Sequence, residues 1–187
     1  NLCSSIQGID VVDVMKGVHL DKRVSPILSS GKRIKPGIAS YIEAGCGFGG
    51  SCFPKDVKAL ISHGENENIS MPLLKSVIEI NNKQPQKMID LLLESFPDIK
   101  DLNIAILGLA FKPGTDDMRE SPSLFIVNEV HKLGGKINAY DPVAEVEAKI
   151  YFANLKIKYH NNIKDAVINS DVIMILTSWP EFKNLPK

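Results

Sequence analysis

From Leu102 onward the sequence alternates short apolar runs with amphipathic stretches, and that alternation leaves few folds open. NIAILGLAF is apolar almost throughout and passes through a glycine into loop residues, the pattern of a strand buried on both faces. Ser121 and Pro122 then open a helix that runs to Leu133, where Gly134 and Gly135 end it. KINAYDP reads as the next strand, LKIKYH as a third, NNIKDAVINS as a helix and DVIMILTSW as a fourth strand. Strands separated by helices of this length predict an α/β, Rossmann-like, doubly wound parallel sheet. Such a sheet takes ligands beyond the carboxyl ends of its strands, which here carry Lys112, Asp141 and Thr177. The first strand leads to Gly108 alone and not to G-x-G-x-x-G, so a glycine-rich dinucleotide cradle is not expected in this half.

The preceding residues, 1–98, read as a helical domain, with the sheet domain over 99–187. Ile6, Ile9, Val12 and Met15 recur at helical spacing, with Gly8 interrupting and Gly17 stopping the run. Residues 21–40 are rich in Ser, Gly, Pro, Lys and Arg and predict a long excursion. Ser70 and Pro72 predict the cap and first turn of a long helix, with Leu73, Leu74, Val77, Ile78 and Ile80 on its apolar side. Pro85 is expected to kink or break it. A helix over 72–95 spans about 36 Å at ~1.5 Å per residue, enough to bridge two domains or two subunits.

The charges cancel, 22 basic against 22 acidic, and no basic block stands out, which argues against a nucleic-acid binder. No apolar run approaches the ~20 residues of a membrane span, so no membrane partner is expected. The opening residues read as mid-domain helix without an initiator methionine, the expectation for a piece of a longer protein. The three cysteines are an odd number without a C-x-x-C pair, in keeping with a reducing, cytoplasmic setting. His19, His63, His131 and His160 are scattered, and no metal site is expected.

The chemistry concentrates in GCGFGGSCFPKDVKAL, Gly45 to Leu60. Four glycines free the backbone to turn tightly or approach a ligand. Pro54 opens a helix on which Val57, Leu60 and Ile61 make an apolar face. Cys52 then stands just outside the helix N-terminus, where a thiolate would face the positive end of the helix dipole. Asp56 follows one turn later, and Lys55 adds a cation. A cysteine beside glycines is also an ordinary small core residue. The grouping of thiol, carboxylate and cation is what points to a reactive site.

GFGGSCFPKD, together with ILGLAFKPGTDDMRESPSLFIVNEVHKLGGKINAYDP, resembles the UDP-glucose/GDP-mannose dehydrogenase family. The resemblance implies an NAD-binding domain upstream, a central helical domain that dimerises, and a C-terminal nucleotide-sugar domain, of which this chain holds the last two. It implies NAD as cofactor and two successive oxidations of a nucleotide sugar, UDP-glucose to UDP-glucuronate, through a cysteine thiohemiacetal and thioester. The alternatives are GDP-mannose or another UDP-hexose, and, in a different class, a non-catalytic nucleotide-sugar-binding or assembly module. A redox-sensing cysteine with Cys46 as resolving thiol is the weakest option.

Residue by residue, Cys52 matches the family's nucleophile and Asp56 its conserved aspartate, which acts on water. Phe48, Gly49 and Gly50 match the loop around sugar and diphosphate. Tyr41 matches an aromatic on phosphate, and Lys112 the lysine that reaches the nucleotide sugar. Arg119 matches an arginine that reaches NAD, and Lys55 is a second candidate for facing that cofactor. Arg23 resembles the arginine that a partner subunit lends to the site, with Arg33 as its rival. Two departures stand out: extra residues near SSGKRIKPG, and TSWPEF where the family has T-E-W. The family's upstream Lys–Asn pair and its last strand, with a further arginine, have no counterpart in this sequence.

Overall fold

The computed structural model describes residues 1–37 and 43–185. These residues fall into two compact units, Asn1–Gly45 and Cys46–Lys187.

In the first unit a 3-10 turn, Cys3–Ser5, precedes helix α1, Val11–Val18. The helical spacing from Ile6 is not used before Val11. Gly8 takes a left-handed φ of +79°, and Asp10 caps α1 by accepting the Val12 N–H at 2.7 Å. Gly17, expected to stop the helix, lies inside it. The excursion that follows folds back on itself through a bridge between Ile27 and Arg33. Leu2, Val12 and Leu20 are exposed.

The second unit carries α2 (Phe53–Asn66) and α3 (Pro72–Ser95), followed by the sheet. Helix α3 has the predicted span, but two details differ. Its N-cap is Met71 without a side-chain bond, so Ser70 does not cap it. Pro85 does not break it: the helix continues through the buried ring. Its second half is anchored by Ile89 and Leu92 in the sheet-domain core, which holds the helix together across the missing N–H. Its first half leaves Leu73, Val77 and Ile80 exposed.

Strands β1 (Asn103–Leu107), β2 (Lys136–Tyr140), β3 (Ile157–Tyr159) and β4 (Val172–Ile175) form one sheet in the order β3-β2-β1-β4. All pairs are parallel, with Ile104 beside both Ile137 and Val172, and Ile137 beside Ile157. The central strand is sealed from solvent on both faces: Ile104, Ala105, Ile106 and Leu107 are each 0% exposed. The pleat sends Ile104 and Ile106 one way, into a core with α3, α4 (Pro122–Lys132) and Ala148 and Phe152 at α5 (Glu145–Tyr151). Leu107 points the other way, to Ala166 of α6 (Ile163–Val167), Trp179 and Phe182. Helices therefore cover both faces of the sheet, which is an α/β fold. Helix α5 escapes the sequence reading because its buried stripe is only Ala144, Ala148 and Phe152, while Val146 and Ile150 face solvent.

Two of the strand-end residues expected to face a ligand are used internally. Asp141 is 4% exposed and accepts five N–H groups: Leu109 (2.7 Å), Ala110 (3.1 Å), Val143 (3.0 Å), Ala144 (2.9 Å) and Trp179 Nε1 (3.3 Å). Thr177 donates to the Ala110 carbonyl at 2.6 Å and fills the space beside Gly108, where a Cβ would lie 2.5 Å from its own. Asp141→Asn presents an NH2 group to donors with nothing to accept it. Urea unfolding should show a loss of about 2 kcal/mol; an unchanged midpoint would contradict the hub assignment.

Candidate active site

The loop from Cys46 to Ser51 is built by glycines that have no room for a side chain. A Cβ at Gly49 would lie 2.3 Å from the Glu120 carbonyl oxygen, and one at Gly50 (φ +87°) 2.8 Å from the Phe111 ring. The Gly50 N–H donates to the Arg119 carbonyl at 2.8 Å. The loop is thus pressed backbone-to-backbone onto the segment Phe111–Ser121, which connects β1 to α4. On its other side Asn81 of α3 grips the Phe48 peptide at both ends: its Oδ1 accepts the Phe48 N–H at 2.8 Å, and its Nδ2 donates to the Phe48 carbonyl at 3.0 Å. A cleft of about 450 Å³ opens here, walled by Phe48, Asn81, Pro85, Glu120, Pro122 and Phe125.

The docked loop delivers Cys52 to the N-cap of α2, with Pro54 in the first turn. Cys52 is exposed, and its Sγ lies 3.7 Å from Ser51 Oγ. Cys46 differs: it is half-buried, its thiol donates to the Leu176 carbonyl at 3.4 Å, and burial pushes its pKa up. Of these two thiols Cys52 is therefore the accessible one, and Cys46 is held as a protonated donor. Asp56 lies one turn along α2, its N–H on the Cys52 carbonyl at 2.8 Å and its carboxylate 3.1 Å from Lys55 Nζ. Both side chains are exposed.

Arg119 lies within electrostatic reach of Cys52 and Tyr151. Its guanidinium is held first by Asp117, which accepts from Nε at 2.9 Å and Nη2 at 2.8 Å. That bidentate bond raises the Arg119 pKa and holds the Asp117 carboxyl below its ordinary value. Lys112 is exposed, with Nζ 5.4 Å from the centre of the Phe111 ring. Lys58 reaches Glu120 at 3.4 Å and ties α2 to the same segment. Phe48, Gly49, Gly50, Cys52, Lys112 and Arg119 thus meet on one loop–loop junction. Among the described residues no cluster of His, Cys, Asp or Glu could hold a metal ion.

In the first unit Arg23 is exposed and pairs with Asp21, Nη2 to Oδ2 at 2.6 Å. Arg33 instead donates to the Leu20 carbonyl at 2.7 Å and the Ser25 carbonyl at 3.1 Å, pinning its own loop. Tyr41 lies outside the described residues.

The central-domain model of the UDP-glucose/GDP-mannose dehydrogenase family matches residues 1–83, and that family's UDP-binding-domain model matches residues 105–187. The chain belongs to this family. UDP-glucose 6-dehydrogenase YwqF of Bacillus subtilis (strain 168) is 39% identical over 186 residues, covering 100% of this chain and 39% of that protein. UDP-glucose 6-dehydrogenase AglM of Haloferax volcanii is 35% identical over 185 residues, covering 99% of this chain and 39% of that protein. The chain thus spans about two fifths of the length of these relatives. Among solved structures, a UDP-glucose dehydrogenase from Pyrobaculum islandicum superposes with a TM-score of 0.81 at 32% identity, covering 96% of this chain and 38% of that one. A GDP-mannose dehydrogenase from Pseudomonas aeruginosa gives 0.68 at 27% identity, covering 94% and 39%.

The junction therefore joins the two matched domains: a loop within the central-domain match rests on the first loop of the UDP-binding-domain match. Asn81 was missed in the sequence, where it reads as one polar residue of EINNKQP on a solvated helix face. The signal available was Pro85, four residues on, which has no N–H to give the Asn81 carbonyl.

Proposed function

We propose that the protein carrying this chain oxidises UDP-glucose to UDP-glucuronate in two steps, with NAD as acceptor and Cys52 as covalent nucleophile. The observation that carries this reading is the junction itself. The exposed thiol of Cys52 is delivered to a helix N-terminus by a loop locked onto the UDP-binding domain beside Lys112 and Arg119. The nearer likeness to UDP-glucose dehydrogenases than to the GDP-mannose enzyme supports the choice of nucleotide.

In this reading Lys112 and the Phe48–Gly50 loop hold the nucleotide sugar, with Tyr41 on a phosphate. NAD, when bound, takes a hydride at each oxidation. The described residues do not form its cradle, since the turn at Gly108 is filled by Thr177. The exposed cations Arg119 and Lys55 suit contacts to its phosphates from outside such a cradle. Cys52 Sγ adds to the C6 aldehyde as a thiohemiacetal and carries the oxidised sugar as a thioester. The covalent bond keeps the reactive aldehyde from leaving and divides one hard oxidation into easier steps. Asp56 orients the water that releases the acid and returns the thiolate. The exposed Leu73, Val77 and Ile80 of α3 suit a homodimer through the central helices. Arg23 is the better candidate for the arginine lent to the partner's site, because Arg33 is tied to its own backbone. The functional division in this reading is 1–98, with the reactive cysteine, and 99–187, with the nucleotide sugar, a division by role that differs from the compact units Asn1–Gly45 and Cys46–Lys187. The reaction belongs in the cytoplasm.

The test is turnover by the full-length protein with NAD and UDP-glucose, GDP-mannose or another UDP-hexose. The expected result is two NADH per UDP-glucose consumed. Preference for GDP-mannose or another UDP-hexose would overturn the substrate, and no turnover of any of them would favour a binding module.

A further inference from the structure

We infer that Asn81 is a positioning residue for Cys52, an inference that rests on the reading of Cys52 as the reactive thiol. The Cys46–Ser51 loop contains three glycines and has little stiffness of its own. Its peptides need external anchors, and Asn81 supplies two of them from one side chain. The amide accepts the Phe48 N–H at 2.8 Å and donates to the Phe48 carbonyl at 3.0 Å, as a neighbouring strand would. Only a carboxamide of this length does both: aspartate lacks the donor, and alanine lacks both groups.

The helix is adapted to receive the loop at this point. Pro85 has no N–H for the Asn81 carbonyl, so that carbonyl lacks its usual intrahelical donor on the side where Gly47 of the loop approaches. Gly47 fits against it. A Cβ there would lie 3.1 Å from Asn81 Oδ1 and 3.6 Å from the Asn81 carbonyl oxygen, and Gly47 has a φ of +123° that a side chain would resist. Asn81 and Pro85 thus form one seat for the peptide four residues before Cys52. The Arg119 carbonyl holds the next fixed point at Gly50. Between these anchors the path to the α2 N-cap is set before any substrate arrives.

The test uses the full-length protein with Asn81→Ala and Asn81→Asp, and reads four quantities: the thermal midpoint, kcat, KM for UDP-glucose, and the pH profile of Cys52 alkylation by iodoacetamide, located by peptide mass spectrometry. A misplaced reactive atom costs roughly 10²-fold in rate. The expected result is a loss of that order in kcat for Asn81→Ala, a smaller loss for Asn81→Asp, KM moved less than kcat, and an altered alkylation profile. A folded Asn81→Ala protein with kcat within about twofold of the parent and an unchanged profile overturns the inference. If Asn81→Ala does not fold, Asn81→Asp keeps the side-chain shape and the Phe48 N–H bond and is judged by the same criteria. The two readings separate cleanly. An altered profile with unchanged kcat keeps Asn81 and removes Cys52 from catalysis. An unchanged profile and kcat, with Cys52→Ser inactive, does the reverse.

Discussion

Cys52→Ser in the full-length protein should abolish acid formation, a loss on the order of 10⁴-fold or more, the scale on which covalent nucleophiles act. The substitution is nearly isosteric, and the side chain is exposed at the N-cap of α2, where it makes no capping bond. Serine is a better N-cap than cysteine, so the fold should be unharmed or slightly firmer. What is lost is the thiolate: the hydroxyl group of Ser51, 3.7 Å from this side chain, is no base to activate a serine hydroxyl in its place. Stability and chemistry therefore separate in one variant, with the thermal midpoint held and product formation gone. Full UDP-glucuronate turnover by this variant would refute the nucleophile assignment.

Gly49→Ala should do lesser but still large damage, through backbone sterics. The added methyl would sit 2.3 Å from the Glu120 carbonyl oxygen, 2.8 Å from its carbon and 3.0 Å from Phe111 Cβ. Two of these three neighbours are backbone atoms, so no rotamer change relieves the clash and the loop must lift. Lifting it breaks the Gly50 N–H bond to Arg119 and withdraws Cys52 from the Lys112 side of the junction. The expected result is a drop of roughly 10²-fold in kcat, with about 1–3 kcal/mol of stability lost to overpacking. Gly45→Ala is the control, since a Cβ there meets nothing within 4 Å. Equal activity of the Gly49 and Gly45 variants would mean that the loop is not seated as described.

The sheet was legible because its signals are long and redundant. NIAILGLAF is apolar on both faces of β1, and Ser121-Pro122 and Gly134-Gly135 bracket α4. Helix α3 was legible in extent, yet its proline was misjudged: tertiary packing of Ile89 and Leu92 overrides the local penalty. Helix α5 was illegible because two alanines carry most of its buried face. The strand ends misled in a different way. Asp141 and Thr177 have ligand-binding chemistry, but the burial that turns them inward is set by Trp179 and Gly108, distant in sequence. In the candidate site, the motif pointed to Cys52, Asp56 and Lys112, while the grip of Asn81 on Phe48 spans 33 residues and leaves no local pattern.

The most direct measurement is peptide mass spectrometry of the full-length protein, quenched in acid during turnover of UDP-glucose with NAD. The expected result is a hydroxylamine-sensitive adduct of one UDP-glucuronyl group that fragmentation of the peptide places on Cys52, and none on Cys46 or Cys3. A protein that makes UDP-glucuronate while Cys52 stays unmodified at every quench time, or that carries the adduct on another cysteine, would contradict it.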